Sequence, residues 1–240
     1  MTDRWIVATS MGFRPGTRTW VEPGPVFDLC LELAGRPERP KLCFLATAGG
    51  DQMWRRHTFH EAFQGTEVHT TDLALFSMPN VEDIGAHLLA QDVIWVDGGS
   101  VAGLLAMWEL HGVGEAMRAA WEAGVVLAGV SAGSICWHVG GPTDSFGPDL
   151  RAVTNGLALL PYGNGVHYDS EAQRRPLLHR LVGDGTLPLS YATDDGVGLV
   201  YRGSELVEAV TDREGAHAYR VERSTDGTVT ETVIAARLLE

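Results

Sequence analysis

The chain has 240 residues, enough for one full domain with a sizeable core. Hydrophobic residues make up 45% and charged residues 20%, a balance ordinary for a soluble globular protein. The net charge of -13 repels phosphate backbones and anionic lipid heads, so nucleic acid and membrane surfaces are poor partners.

The start, Met1 to Trp5, lacks a basic stretch followed by an apolar run, so no signal peptide is expected. Arg4 to Ser10 reads as a short buried strand, followed by a Gly/Pro-rich loop from Met11 to Pro25. Val26 to Ala34 reads as a helix, with Pro25 at its start and Gly35 just past its end. Lys41 to Thr47 is a second strand, Met53 to Phe63 a helix, Glu67 to Thr71 a strand and Val81 to Ala90 a helix. Asp92 to Val96 is an apolar strand running into Asp97-Gly98-Gly99-Ser100. Helices follow at Ala102 to Leu110 and Val113 to Ala123, then a buried strand, Val125 to Val130. Strands alternating with helices predict an α/β fold with a mostly parallel central sheet and helices on both faces. The strands are apolar without alternation, as strands buried on both sides are.

The last third reads differently. Gly140 to Asn164 is rich in Gly, Pro and Asp and is expected to be mostly loop, and Glu171 to Leu181 a helix interrupted by Pro176. Short strands follow at Leu189 to Ala192, Val197 to Tyr201, Leu206 to Val210, Ala218 to Glu222 and Thr228 to Val233, closely spaced as in antiparallel hairpins. With no repeat and no linker, residues 1–240 are expected to form one domain. No apolar run reaches the ~20 residues of a membrane span. Cys30, Cys43 and Cys136 are too few and unpaired for a disulfide framework, which points to a reducing, cytoplasmic setting.

Gly129-Val130-Ser131-Ala132-Gly133 fits G-x-S-x-G, and its context gives the pattern meaning. A strand ends at Val130 and a helix is expected over Ser134 to Val139, so Ser131 falls on a sharp turn where its neighbours must be small. The free N–H groups of the following helix face the serine and could hold an oxyanion. The competing readings are a plain packed strand-turn-helix and a phosphate loop; the latter wants a Lys-Ser/Thr ending that is absent.

Three segments carry a resemblance: Val130-Ser131-Ala132-Gly133-Ser134, Ile94-Trp95-Val96-Asp97-Gly98-Gly99-Ser100 and Val166-His167-Tyr168. In order and approximate spacing the chain resembles the peptidase E (aspartyl dipeptidase) family, and more distantly cyanophycinase. These are class I glutamine amidotransferase-like folds in which serine replaces the nucleophilic cysteine. The resemblance implies a serine hydrolase acting on short peptides, such as dipeptides with an N-terminal aspartate. The chain departs from the family in two places. The family's Gly-Gly-Gly-Asn-Thr turn is Asp97-Gly98-Gly99-Ser100-Val101 here, and its catalytic glutamate matches an aspartate.

A serine hydroxyl needs an adjacent base, and the base an orienting acid. His138 lies seven residues past Ser131, two turns down the expected helix, and faces away. His179 and His217 read as surface residues. His167 lies among loop glycines and an acidic run, and the resemblance selects it as the base. For the acid, the family's glutamate matches Asp195 best, with Asp194, Asp169 and Glu171 as rivals. The order Ser, His, acid differs from that of the α/β-hydrolases. The oxyanion hole is expected from the Ala132 N–H with one from Gly98 or Gly99, since both strands end at the same sheet edge.

An N-terminal aspartate would need a cation, and Arg14, Arg151, Arg174 and Arg175 are candidates, with Arg174 and Arg175 preferred. His57 and His60 are spaced i, i+3 with His69 nearby, but no carboxylate completes a ligand set, so neither metal nor other cofactor is expected. The partner is a small peptide substrate; a homodimer is compatible with the sequence and not required by it. Two other functions fit the same residues: an esterase or amidase with the same triad, and a catalytically silent binding protein.

Overall fold

The computed structural model describes residues 3–240. The strands are β1 (Trp5–Thr9), β2 (Phe13–Pro15), β3 (Val21–Pro23), β4 (Lys41–Leu45), β5 (His69–Asp72), β6 (Val93–Val96), β7 (Val126–Val130), β8 (Gly141–Thr143), β9 (Arg151–Val153) and β10 (Gly163–Gly165). They continue as β11 (Ser190–Thr193), β12 (Val197–Arg202), β13 (Glu205–Thr211), β14 (Ala218–Arg223), β15 (Val229–Ile234) and β16 (Ala236–Leu238). The helices are α1 (Pro25–Leu33), α2 (Met53–Ala62), α3 (Ile84–Leu89), α4 (Val101–His111), α5 (Val113–Ala123), α6 (Ala132–Ile135) and α7 (Arg174–Gly183).

Eight strands form the main sheet in the order β16-β13-β12-β1-β7-β6-β4-β5. The run from β1 through β7, β6 and β4 to β5 is parallel, while β12 joins β1 antiparallel and β13 joins β12 antiparallel. Its central strands β1, β4, β6 and β7 are buried on both faces because alternate side chains enter two different cores. Ile6, Ala8, Ile94, Val96 and Leu127 meet α4 and α5 through Leu104, Trp108, Met117 and Trp121. Val7, Leu42, Phe44, Trp95 and Val126 meet α1 and α2 through Val26, Phe27, Cys30 and Phe59. The two-residue side-chain period of a strand makes this division, and it places helices on both faces as the apolar strand pattern predicts.

A second sheet of four strands, β10-β11-β14-β15, carries α7 on a core of Leu177, Leu178, Leu181, Ala192, Tyr219 and Val221. Here the structure departs from the sequence reading. The stretch from Gly140 to Asn164 is mostly loop, as expected, but it also holds the hairpin β8-β9 and the start of β10, which runs parallel to β11. The loop from Met11 to Pro25 likewise contains the hairpin β2-β3. β16, not expected at all, runs parallel to β13 at the sheet edge. Helix α7 begins at Arg174, which puts Pro176 in its first turn, where a missing N–H loses no helical bond. The helix after Ser131 is one turn long and begins at Ala132, earlier and shorter than expected.

All three cysteines are free and buried, and burial pushes the Cys43 thiol up to about 12. Among the described residues no helix is long and apolar enough to cross a membrane.

Candidate active site

Ser131 sits directly after β7, at the end of the parallel strands, with φ 58 and ψ -111. This lies outside the regions open to an L-residue without strain. The surroundings impose it. The Ser131 N–H donates to the Thr9 carbonyl at 3.0 Å, continuing the β1–β7 ladder. The Ser131 carbonyl accepts from Ser134 and Ile135 at 2.9 and 3.0 Å, starting α6. The chain must therefore turn from strand to helix within one residue. The flanking glycines follow from this crowding: a Cβ on Gly133 would lie 2.1 Å from the Val96 carbonyl oxygen, and one on Gly129 2.5 Å from the Gly133 oxygen.

The Ser131 hydroxyl meets His167, whose Nε2 lies 2.9 Å from Oγ. On the other side of the ring, Nδ1 lies 2.6 Å from Asp195 Oδ1. His167 follows β10 in the loop before α7, itself at φ 54, and its N–H donates to Ser10 Oγ at 3.2 Å. Asp195 lies in the three-residue link between β11 and β12, so the acid stands where the chain passes from the smaller sheet to the larger. Three residues far apart in sequence thus form a hydroxyl–imidazole–carboxylate row.

The rival acids are occupied elsewhere. Asp194 is buried and accepts from the His217 N–H at 3.0 Å and the Tyr219 hydroxyl at 3.1 Å. Asp169 accepts from the Asp195 N–H at 2.8 Å and pairs with Arg213. Burial pushes the Asp169 carboxyl up, but the bonds from Arg213 and the Asp195 N–H outweigh this and hold it below the usual carboxylate range. Glu171 pairs with Arg174 at 2.7 Å.

His138 is buried, with Nδ1 2.9 Å from the Ser134 carbonyl and Nε2 3.3 Å from the Tyr201 hydroxyl; burial lowers its pKa to about 4. His179 pairs with Glu231. His60 is held by Thr70 and Asp72, and Asp72 in turn takes Arg56.

The turn Asp97-Gly98-Gly99 packs against the nucleophile: a Cβ on Gly98 would lie 3.3 Å from Ser131 Cβ. Arg55 donates to Asp97 Oδ2 at 2.6 Å and to the Gly98 carbonyl at 3.2 Å. In a trans peptide the N–H points opposite the carbonyl, so holding the Gly98 oxygen also orients the Gly99 N–H. Among the described residues, the N–H groups of Gly98, Gly99 and Ala132 have no acceptor within the chain. Sequence reasoning missed Arg55 and Ser10. Their roles depend on contacts between segments far apart in the chain, which no local pattern signals.

A cleft of about 380 Å³ opens beside Ser131, bounded by Gly99, Ser100, Asp144, Ser145, Glu171 and Arg174. Of the candidate cations, Arg174 lies on this cleft; its buried guanidinium also donates to the Pro142 carbonyl at 2.5 Å. Arg175 does not lie there: it pairs with Glu231 and stacks over Tyr168 and Tyr219. Its preference as a substrate-binding residue is corrected accordingly. Arg14 pairs with Glu22, and Arg151 lies over Phe146.

A serine on a strained strand-to-helix elbow at the end of a mostly parallel α/β sheet, hydrogen-bonded to a histidine, defines the protein as an α/β serine hydrolase by architecture. Its sequence narrows this class: the model of peptidase family S51 matches residues 22–209, and the chain belongs to that family. It is a serine-type peptidase. It is 41% identical over 184 residues to the uncharacterized peptidase YgaJ of Bacillus subtilis (strain 168), covering 77% of this chain and 79% of that one. Two solved structures share the fold at 16% identity. One is a candidate peptidase E protein from Listeria monocytogenes EGD-e, with TM-score 0.62, covering 88% of this chain and 99% of that one. The other is a peptidase from an acI-B1 Actinobacterium, with TM-score 0.61, covering 98% of this chain and 95% of that one.

Proposed function

We propose that this peptidase cleaves short peptides through an acyl-enzyme on Ser131, with His167 as the base and Asp195 as the acid. The observation that carries the reading is the row itself: 2.9 Å from hydroxyl to imidazole and 2.6 Å from imidazole to carboxylate. His167 Nε2 takes the hydroxyl proton as Oγ attacks the scissile carbonyl carbon, and Asp195 accepts from Nδ1–H and stabilises the imidazolium that forms. The Ala132 N–H and an N–H from Gly98 or Gly99 hold the oxyanion. The imidazolium then gives its proton to the leaving amine, and water, deprotonated by the same ring, releases the acid product.

The cleft beside Ser131 receives the first residue of the peptide. Arg174, paired with Glu171, is the cation on this cleft, and a carboxylate side chain, as in an N-terminal aspartate, would take the place of Glu171 on its guanidinium fork. A cytoplasmic setting fits the three buried free thiols. The test is a peptide-library cleavage profile beside fluorophosphonate labelling, each repeated on Ser131→Ala. Labelling and cleavage both lost in the variant support the reading. Cleavage that survives at near wild-type rate sinks it. Dipeptides beginning with aspartate that are cut no faster than those beginning with alanine sink the role of Arg174.

A further inference from the structure

We propose that Asp169 is a positioning residue that fixes the triad acid by holding the backbone N–H of Asp195. The inference rests on the Ser131–His167–Asp195 reading and concerns how that row is kept in place. Asp195 is more than a third exposed, with 39% of its side chain open to solvent, so packing alone does not fix its carboxylate. An aspartate side chain is short, and its reach to His167 is set mostly by where its backbone lies. That backbone is tied at both ends. The Asp195 N–H donates to Asp169 Oδ1 at 2.8 Å, and the next N–H, of Gly196, donates to the Ser10 carbonyl at 2.9 Å.

Asp169 is two residues beyond His167. One carboxylate therefore spans the loop that carries the base and the loop that carries the acid. The Tyr168 N–H, between them, donates to the Thr193 carbonyl at 3.1 Å and keeps the two loops parallel. Arg213, from the loop after β13, pairs with the other oxygen of Asp169. The same pair keeps Asp169 ionised and an acceptor at neutral pH. Asp194 cannot replace Asp195, because its carboxylate is held by His217 and Tyr219.

The experiment measures kcat and KM separately for Asp169→Ala, Asp169→Asn and Asp169→Glu, with Asp195→Asn as control and circular dichroism to verify folding. Asp169→Ala removes the acceptor, and kcat should fall about 10²-fold, the scale of a 1 Å misplacement, with KM within about twofold. Asp169→Asn keeps an amide oxygen at the same place, so most of the turnover should return, even though the charge pair with Arg213 is gone. Asp169→Glu keeps the charge and shifts the acceptor by one methylene, so it should be folded and slow. This variant carries the test if Asp169→Ala does not fold. A slow Asp195→Asn with a near-normal Asp169→Ala overturns the inference and spares the triad. An Asp169→Asn as slow as Asp169→Ala overturns it too, because the hydrogen bond would then not be what matters. A near-normal Asp195→Asn removes the triad reading and this inference with it.

Discussion

Replacing Ser131 by glycine should make the protein inactive and more stable than replacing it by alanine. Both changes remove the hydroxyl and its bond to His167, so the comparison isolates the backbone. Alanine retains a Cβ and must still adopt φ 58, ψ -111. Glycine adopts such angles without strain. A residue held in a sparsely populated region costs about 1–3 kcal/mol. The added freedom of glycine in the unfolded chain opposes this by about 0.4–1 kcal/mol. The difference left is centred on about 1.3 kcal/mol in favour of glycine, which for a chain of this size is ~3–5 °C in Tm. The assay is calorimetric melting of the two variants in one buffer. Equal melting, or a lower Tm for Ser131→Gly, would refute the argument that the elbow stores strain at the nucleophile.

His167→Ala should lower turnover by orders of magnitude while His179→Ala leaves it near normal, since His179 faces Glu231; steady-state kinetics on both decides, and the reverse pattern names the wrong base. Asp195→Asn should lower kcat by about 10⁴-fold, the scale known for the acid of a chymotrypsin-type triad, with little change in KM. Asp194→Asn should act instead on stability, because its carboxylate accepts two bonds in a buried site; urea unfolding should register a loss of about 1–3 kcal/mol. Stability should also fall as pH drops from about 6.5 toward 4. Folding holds His138 neutral with its pKa lowered to about 4, so the unfolded chain takes up a proton there first; stability is full above about 6.5 and declines through that window. His138→Gln should flatten this part of the profile, and an unchanged slope would assign it to other groups.

The parallel half of the fold was legible because each element there announces itself. β1, β4, β6 and β7 are apolar runs buried on both faces, and α4 and α5 end at glycines with positive φ. The nucleophile was legible for a related reason, since Gly129 and Gly133 are demanded by backbone crowding against Val96 and leave a mark in the sequence. What escaped was pairing between distant segments. β10 is Gly163-Asn164-Gly165, a strand with no β-forming side chain, set by its parallel neighbour β11 and by Ser190 packing against Gly163. β16 is three residues long, too short to carry a period. β12 reads as one more hairpin strand, yet it enters the main sheet between β1 and β13. Resemblance pointed to Asp195 among four acids, and geometry separates them by what each carboxylate touches. Arg174 and Arg175 are adjacent and alike in sequence, but the helix directs one to the cleft and the other onto two tyrosines.

The nucleophile ends a strand of the larger sheet, while the base and the acid leave β10 and β11 of the smaller one. Two side chains help fasten this seam on the inside: Ser10 Oγ, just past β1, lies 2.7 Å from Thr193 Oγ1 and accepts the His167 N–H, and Ser134 Oγ donates to Asn164 Oδ1 of β10 at 2.8 Å. Heat should therefore silence the molecule before it unfolds it. A slip of one sheet against the other by a fraction of an ångström leaves both sheets intact and parts hydroxyl from imidazole, so activity would fade at temperatures where spectroscopy still reads a native protein.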